Sequence, residues 1–444
     1  MIESSLISTD MLVDDLRQLC AIPTSTDQSE STTAASHIAT LMRLRGLQAE
    51  IIPTAGAPLV VGRRAGRSPF TLLLYHHYDT APAGPWRAWN HEPFLLAERE
   101  GYLYGRGVAD GKGPLAAHLA AIAGVIAAEG ELPIGVVVVA EGEALQGSPH
   151  LGALVAEHRQ KFRADACLAT AGERDMSGNP ICYGGAKGLL QARLTAVGAN
   201  QILPAGLAAT VPNPIWQITW ALAQIKSSDE EILIEGFYDD VESPNRVENQ
   251  LLRAVRVDEA KRLEAWGIEH FLFDMSGATL TTAESTLPTC NISALSVEPQ
   301  SEIAGVPIVA TARIDFQLVP RQRPQVILDR LREHMKEKGF DTINVERMNG
   351  GYPAAATPPD HAFVQRVRGI GQQTHGEPFV RLPFGPFALP LYFFAEAFGM
   401  PLAVVGCARQ DSATYGPNER IPLRDLVQHG QLLADLFTSY TQNP

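Results

Sequence analysis

The sequence predicts an α/β protein whose main sheet unit is interrupted by a smaller α+β unit. Three observations carry this. Short apolar runs alternate with helix-period segments up to about residue 192. Near residue 193 the pattern changes to exposed-strand and charged-helix segments punctuated by proline. After residue 350 it returns to a short apolar run followed by a helical one.

Leu12, Leu16 and Leu19 lie at helical spacing, and Ile38, Leu41, Met42 and Leu44 define a second helix over 31–45 that stops at Gly46. The runs at 49–52, 59–62 and 71–75 are short, apolar and bounded by Pro, Gly or charge, as strands are. Leu115, Leu119, Ile122 and Ile126 mark one apolar face of a helix, and 134–140 is a buried strand. Within 193–350, a strand at 192–200, a helix over 214–224, a strand at 306–320, a charged helix over 324–338 and a strand at 341–347 describe a ferredoxin-like insert. NGGYPAAATPPD at 349–360 is a return linker, followed by a strand at 402–406 and a closing helix over 426–440. The main unit is therefore 1–192 plus 351–444, and the insert is 193–350. No internal repeat interrupts this plan.

Composition narrows the function classes. Hydrophobic residues make up 45% of 444 and charged residues 19%, the balance of a compact chain and not of a disordered one. A net charge of -13 gives no basic face for a nucleic-acid backbone. Five scattered cysteines without a CxxC pair point to buried thiols in a reducing compartment. The opening MIESSLISTDMLVDDL has no basic segment followed by an apolar run, and no apolar run is long enough to span a bilayer. A cytoplasmic protein without a membrane partner is expected.

Three segments look like chemistry. LLLYHHYDT at 72–80 ends a buried strand in His77, Tyr78 and Asp79; residues two apart share a side, so His77 can face a ligand while Asp79 orients it. His76 stands beside them. YGRGVADGKGPLAAHL at 104–119 clusters glycines around Asp110 just before a helix; Asp110 is either a helix cap or a carboxylate able to bridge two cations. VVVVAEGEALQGSPHL at 136–151 runs a strand into an acidic turn holding Glu141 and Glu143.

Together, and in this order, these segments resemble the zinc-dependent exopeptidase and deacylase family that includes carnosine dipeptidase, acetylornithine deacetylase, succinyl-diaminopimelate desuccinylase and glutamate carboxypeptidase. LPTCNISAL at 287–295, with Asn291, and IDFQLVPRQRP at 314–324 extend the likeness. The resemblance implies a zinc-exopeptidase-like catalytic domain carrying a lid that forms a homodimer, and a small-molecule or peptide-like ligand. It assigns His77 and Asp110 as metal ligands and Asp79 as the supporting acid.

The same resemblance exposes losses. EGEALQGS keeps Glu141, Gly142, Gly147 and Ser148 in register, which puts Ala144 at the general-base glutamate and Leu145 at the adjacent metal glutamate. Thr170 stands at the next metal carboxylate, with Glu173 three residues on. Pro204 replaces a lid histidine, Tyr415 the last metal histidine, and Gln317 a substrate-binding arginine. Pro386, Phe387 and Ala388 replace a glycine-serine loop. A methyl or isobutyl group has no lone pair, and each zinc normally takes three or more protein ligands.

Two readings follow. In the first, the old cleft is non-hydrolytic and uses no cofactor: it binds a less polar ligand around His76, Asn291, Phe387 and Tyr415, or does metal-free acid-base chemistry with Asp79, Glu141 and Glu143. In the second, a rewired zinc pair carries out peptide or amide hydrolysis, with Glu141 or Glu143 replacing the lost acidic pair, Glu173 the third carboxylate, and Tyr415 binding the metal or the oxyanion.

Overall fold

The computed structural model describes residues 6–26, 28–175, 178–300, 304–375 and 380–442. Its main sheet contains β1 (Gln48–Ile52), β2 (Leu59–Arg64), β3 (Gly66–His77), β4 (Leu132–Glu141), β5 (Ala166–Thr170) and β6 (Ile181–Tyr183) from the first half. The insert supplies β7 (Gly188–Val197), β8 (Thr289–Glu298), β9 (Val309–Leu318) and β10 (Asn344–Arg347). β11 (Val380–Leu382) and β12 (Leu402–Val405) then rejoin the main sheet. Its order is β11-β6-β12-β5-β3-β4-β2-β1.

β3, β4, β5 and β12 run parallel at the centre. Such strands are covered on both faces and are apolar throughout, as VVVV in β4 shows. Leu72 and Leu74 face a layer of helices α1 (Thr9–Cys20), α2 (Ser31–Leu44), α3 (Lys112–Glu129) and the closing helix Leu423–Gln442. Leu73 and Tyr75 face a second apolar cluster on the opposite side. α3 differs from the expected one-faced helix. Residues 112–122 are buried all round, because α1 and the closing helix also pack on it and four of its positions are small alanines.

The insert follows the order strand, helix, strand, strand, helix, strand, using α4 (Pro214–Ile225) and a later helix, Pro324–Glu337. Its sheet order β8-β9-β7-β10, antiparallel throughout, is ferredoxin-like. Between α4 and β8 the chain makes an excursion with helices α5 (Arg246–Ala254), α6 (Glu259–Trp266) and α7 (Gly277–Thr286). Its first residues, Ile232, Ile234 and Phe237, are buried in the insert's core, but the helices that follow pack outside it. Leu252 and Val255 are buried in the main unit's second cluster, each contributing about 1.5–3 kcal/mol of apolar burial. Among the described residues no helix is long and apolar enough to cross a membrane.

Candidate functional site

The C-terminal ends of β3, β4 and β5 lie side by side, the position where open α/β sheets bind ligands. His77 is paired in register with Glu141, and Tyr75 with Ala169, one residue before Thr170. The pleat then separates the two adjacent histidines. His77 turns toward Asp110. His76 turns into the helical layer, where its Nε2 lies 3.0 Å from His118 Nδ1 and the residue is 3% exposed.

His77 is held between two carboxylates. Its Nε2 is 3.2 Å from Asp110 Oδ1, and its Nδ1 is 3.1 Å from both the carbonyl and Oδ1 of Asp79. Asp79 Oδ2 in turn accepts the backbone N–H of Leu145 at 2.8 Å. Burial alone would lower the His77 pKa, but Asp110 and Asp79 outweigh it and hold the imidazole well above its ordinary value. Burial would raise Asp110, yet His77 and the Tyr415 hydroxyl keep it below the usual carboxylate range.

Asp110 is not a helix cap. Gly111 occupies the cap position of α3 at φ +98°, and a Cβ there would meet the His77 carbonyl at 2.7 Å. Only glycine lets the loop approach His77 this closely. Beneath the loop, the buried Glu419 carboxylate accepts the N–H groups of Gly107 and Ala109, each at 2.8 Å, and Arg106 Nη1 at 2.9 Å.

A cleft of about 940 Å³ opens over this centre. Of the residues singled out in the sequence, His77, Asp110, Ala144, Leu145, Thr170, Glu173, Gln317, Phe387 and Tyr415 line it. Tyr415 is 65% exposed at the mouth, with its hydroxyl end against Asp110. The remaining expectations are corrected. His76 is sealed beneath the site by the pleat alternation. Asn291 lies on exposed β8, beside a separate small pocket lined also by Leu222 and Cys290. Pro204 is exposed on a short strand of the insert, paired antiparallel with Gly305, and does not line this cleft. Glu141 is buried with Oε2 accepting from Tyr75 Oη at 2.6 Å; burial pushes its pKa up to about 8 against that bond. Glu143 turns away to His150 Nδ1 at 2.7 Å.

Sequence reading missed the opposite wall, which the excursion builds. Arg262 Nη1 donates to both Glu284 oxygens at 2.9 and 3.0 Å, and Nη2 reaches Glu173 at 3.3 Å. The guanidinium also lies over the Trp266 ring, 5.2 Å from its centroid. Lys187, at the base of β7, lines the same cleft. No local motif marks these residues; Arg262, Trp266 and Glu284 reach the site only because the excursion returns onto the main unit, and Lys187 because it pairs with Ala388.

A divalent metal pair can be tested against these donors. One imidazole and one carboxylate face the cleft at this centre, and each already engages the other. Around them stand a methyl, an isobutyl, a threonine hydroxyl and a phenol. Among the described residues no three of His, Cys, Asp or Glu converge to hold a metal. The residues present do not fit a zinc pair, each member of which normally takes three or more protein ligands.

The architecture has known counterparts. A metallo-carboxypeptidase from Sulfolobus solfataricus superposes with a TM-score of 0.90 at 25% identity, covering 97% of this chain and 99% of that one. Human carnosine dipeptidase 1 superposes at 0.85 with 20% identity, covering 98% and 97%. By sequence, the human Beta-Ala-His dipeptidase is 23% identical over 397 residues, 87% of this chain and 78% of that protein. A Cys-Gly metallodipeptidase of Schizosaccharomyces pombe is 25% identical, covering 84% and 80%. The model of peptidase family M20/M25/M40 matches residues 73–439, most of the chain, and the chain belongs to that family.

Proposed function

We propose that this cleft is a metal-independent ligand site, a family member's active-site pocket turned from two-zinc hydrolysis to binding or to acid-base chemistry by His77, Asp79, Asp110 and Tyr415. One observation carries the reading: Ala144, Leu145, Thr170 and Tyr415 line the same cleft as His77 and Asp110. The substitutions therefore surround the place where metal donors would be needed. A cationic His77 between two carboxylates supplies positive charge that metal ions would otherwise bring. Support for a rewired zinc pair is weaker, because Glu141, Glu143 and Glu173 are committed to Tyr75, His150 and Arg262. The ligand is less polar than a free dipeptide, since Leu145, Phe387 and Trp266 form much of the wall.

We infer that the insert forms the surface of a homodimer. β8 is an edge strand, with Ile292 and Leu295 exposed, and Trp216 and Trp220 stack in the open on α4. Five free buried cysteines suit a cytoplasmic protein.

Elemental analysis after dialysis tests the site. We expect zinc well below one equivalent per chain, with no hydrolysis of dipeptides or N-acyl amino acids after zinc is added. Two retained equivalents with peptide hydrolysis would overturn the reading.

A further inference from the structure

The chain has seven lysines, at positions 112, 161, 187, 226, 261, 336 and 338. Two are buried: Lys112 is 1% exposed and Lys187 is 2% exposed. They differ in what they face. Lys112 Nζ donates to the Ile22 carbonyl at 2.8 Å behind the glycine loop and does not line the cleft. Lys187 lines the cleft.

The Lys187 main chain is clamped on both sides of Ala388. Its N–H donates to the Phe387 carbonyl at 2.9 Å, and its carbonyl accepts the Leu389 N–H at 3.4 Å. Phe387 and Leu389, the two residues that hold it, line the cleft with it and give this part of the wall its apolar surface. Lys187 Nζ donates once, to the Leu287 carbonyl at 2.8 Å. Among the described residues no carboxylate lies within 4 Å of it. The acidic group that influences it, Glu284, is already held by both of its oxygens on Arg262. Thr289 and Gln317, cross-strand partners at the same end of the insert sheet, also line this corner of the cleft, and the buried Gln317 Oε1 has no hydrogen-bond partner.

An ammonium kept for binding anions is best left charged, and arginine serves that purpose better. A lysine in an apolar wall without a counter-ion is the arrangement that frees an amine for attack on carbonyl carbon. We propose that Lys187 is a carbonyl-reactive amine, and that the cleft takes an aldehyde or ketone with an apolar body and holds it as an imine on Nζ. The neutral amine adds its lone pair to the carbonyl carbon, and the oxygen takes a proton. The carbinolamine then loses water, the C–O bond breaking as the C=N bond forms, so that amine and carbonyl give imine and one water. No oxidant or reductant takes part. The inference rests on the reading that this cleft takes a ligand, but it does not need that ligand site to be metal-free.

Burial pushes Lys187 down to about 8, with Glu284 opposing. At pH 7 that leaves about a tenth of the molecules with a free amine, about 200-fold more than an ordinary lysine titrating near 10.4. Lys112 is pushed to about 8 as well, so it is an internal control for burial without access.

The test incubates the full chain with hexanal and sodium cyanoborohydride at pH 7 and maps alkylated lysines by mass spectrometry. Lys187 should be labelled at least about ten-fold faster than the five other accessible lysines, with Lys112 unlabelled, and hexanoate in equal excess should not protect it. Lys187→Arg should lose the fast label while keeping the circular dichroism spectrum. Labelling of Lys187 no faster than Lys261 overturns the proposal, and so does protection by hexanoate, which would make Lys187 an anion anchor. Two retained zinc ions would remove the metal-free reading and leave this result standing.

Discussion

Glu419 shows how a single residue sets the site without lining it. Its carboxylate is buried and accepts from Arg106 and from the backbone of Gly107 and Ala109. Glu419→Gln keeps the shape but points amide hydrogens at groups that are all donors, and it leaves Arg106 buried without its counter-charge. We expect a loss of about 3–5 kcal/mol in urea unfolding, the usual cost of breaking a buried pair from one side. At this scale much of the site was legible. His77, Asp79, Asp110 and the changed positions Ala144 and Leu145 fall in short segments whose internal spacing fixes the register, whereas the segment around Thr170 has no such internal anchor. Glu419 carried no local signal of this role, because its partner Arg106 is more than 300 positions away. His76 could have been excluded by the pleat alone, since it is odd-even opposed to His77. Asn291 could not, because its side depends on which strand becomes the edge of the insert.

Among elements, the junction of β3, α3 and the closing helix carries a buried histidine series. His76 Nε2 meets His118 Nδ1 at 3.0 Å, the His118 and His429 rings stack at 4.6 Å, and His429 Nε2 lies 2.9 Å from Thr170 Oγ1. All three are held well below their ordinary pKa: by burial first, then by His118 on His76, by His429 on His118 and by Arg174 on His429. Unfolded, these rings take up protons below about pH 6.5; folded, they resist. Stability from them is therefore complete above that pH and is lost as pH falls, by up to about 1.4 kcal/mol per pH unit for each ring. His77 acts in the opposite sense, its raised pKa giving stability that is full below about 6.5 and lost as pH rises through the folded value. We expect the melting temperature to drop between pH 7 and 5, and His118→Phe to drop less steeply, as followed by scanning calorimetry. Local pattern located β3, α3 and β4 because long apolar runs decide them. It did not reveal α5, α6 and α7. Their few buried residues, Leu252 among them, dock on a sheet far away in sequence, and periodicity says nothing about the partner.

For the whole molecule, the exposed edge of the insert is the feature to test. Two copies pairing along β8 would extend each four-stranded sheet across a two-fold axis, with the Trp216–Trp220 stack beside the seam. Leu295→Asp together with Ile292→Asp places charge on that edge and should convert a dimer to a monomer in light scattering without changing the melting temperature by more than a few degrees. The excursion has a further mechanical effect. Because Leu252 and Val255 root it in the main core and Arg262 reaches Glu173, the wall carrying Trp266 travels with the main sheet. Tilting of the ferredoxin-like unit would displace mainly the Gln317 corner. The cleft would then change its width from one flank against a stationary jaw, and ligand length would be gauged against a fixed reference surface.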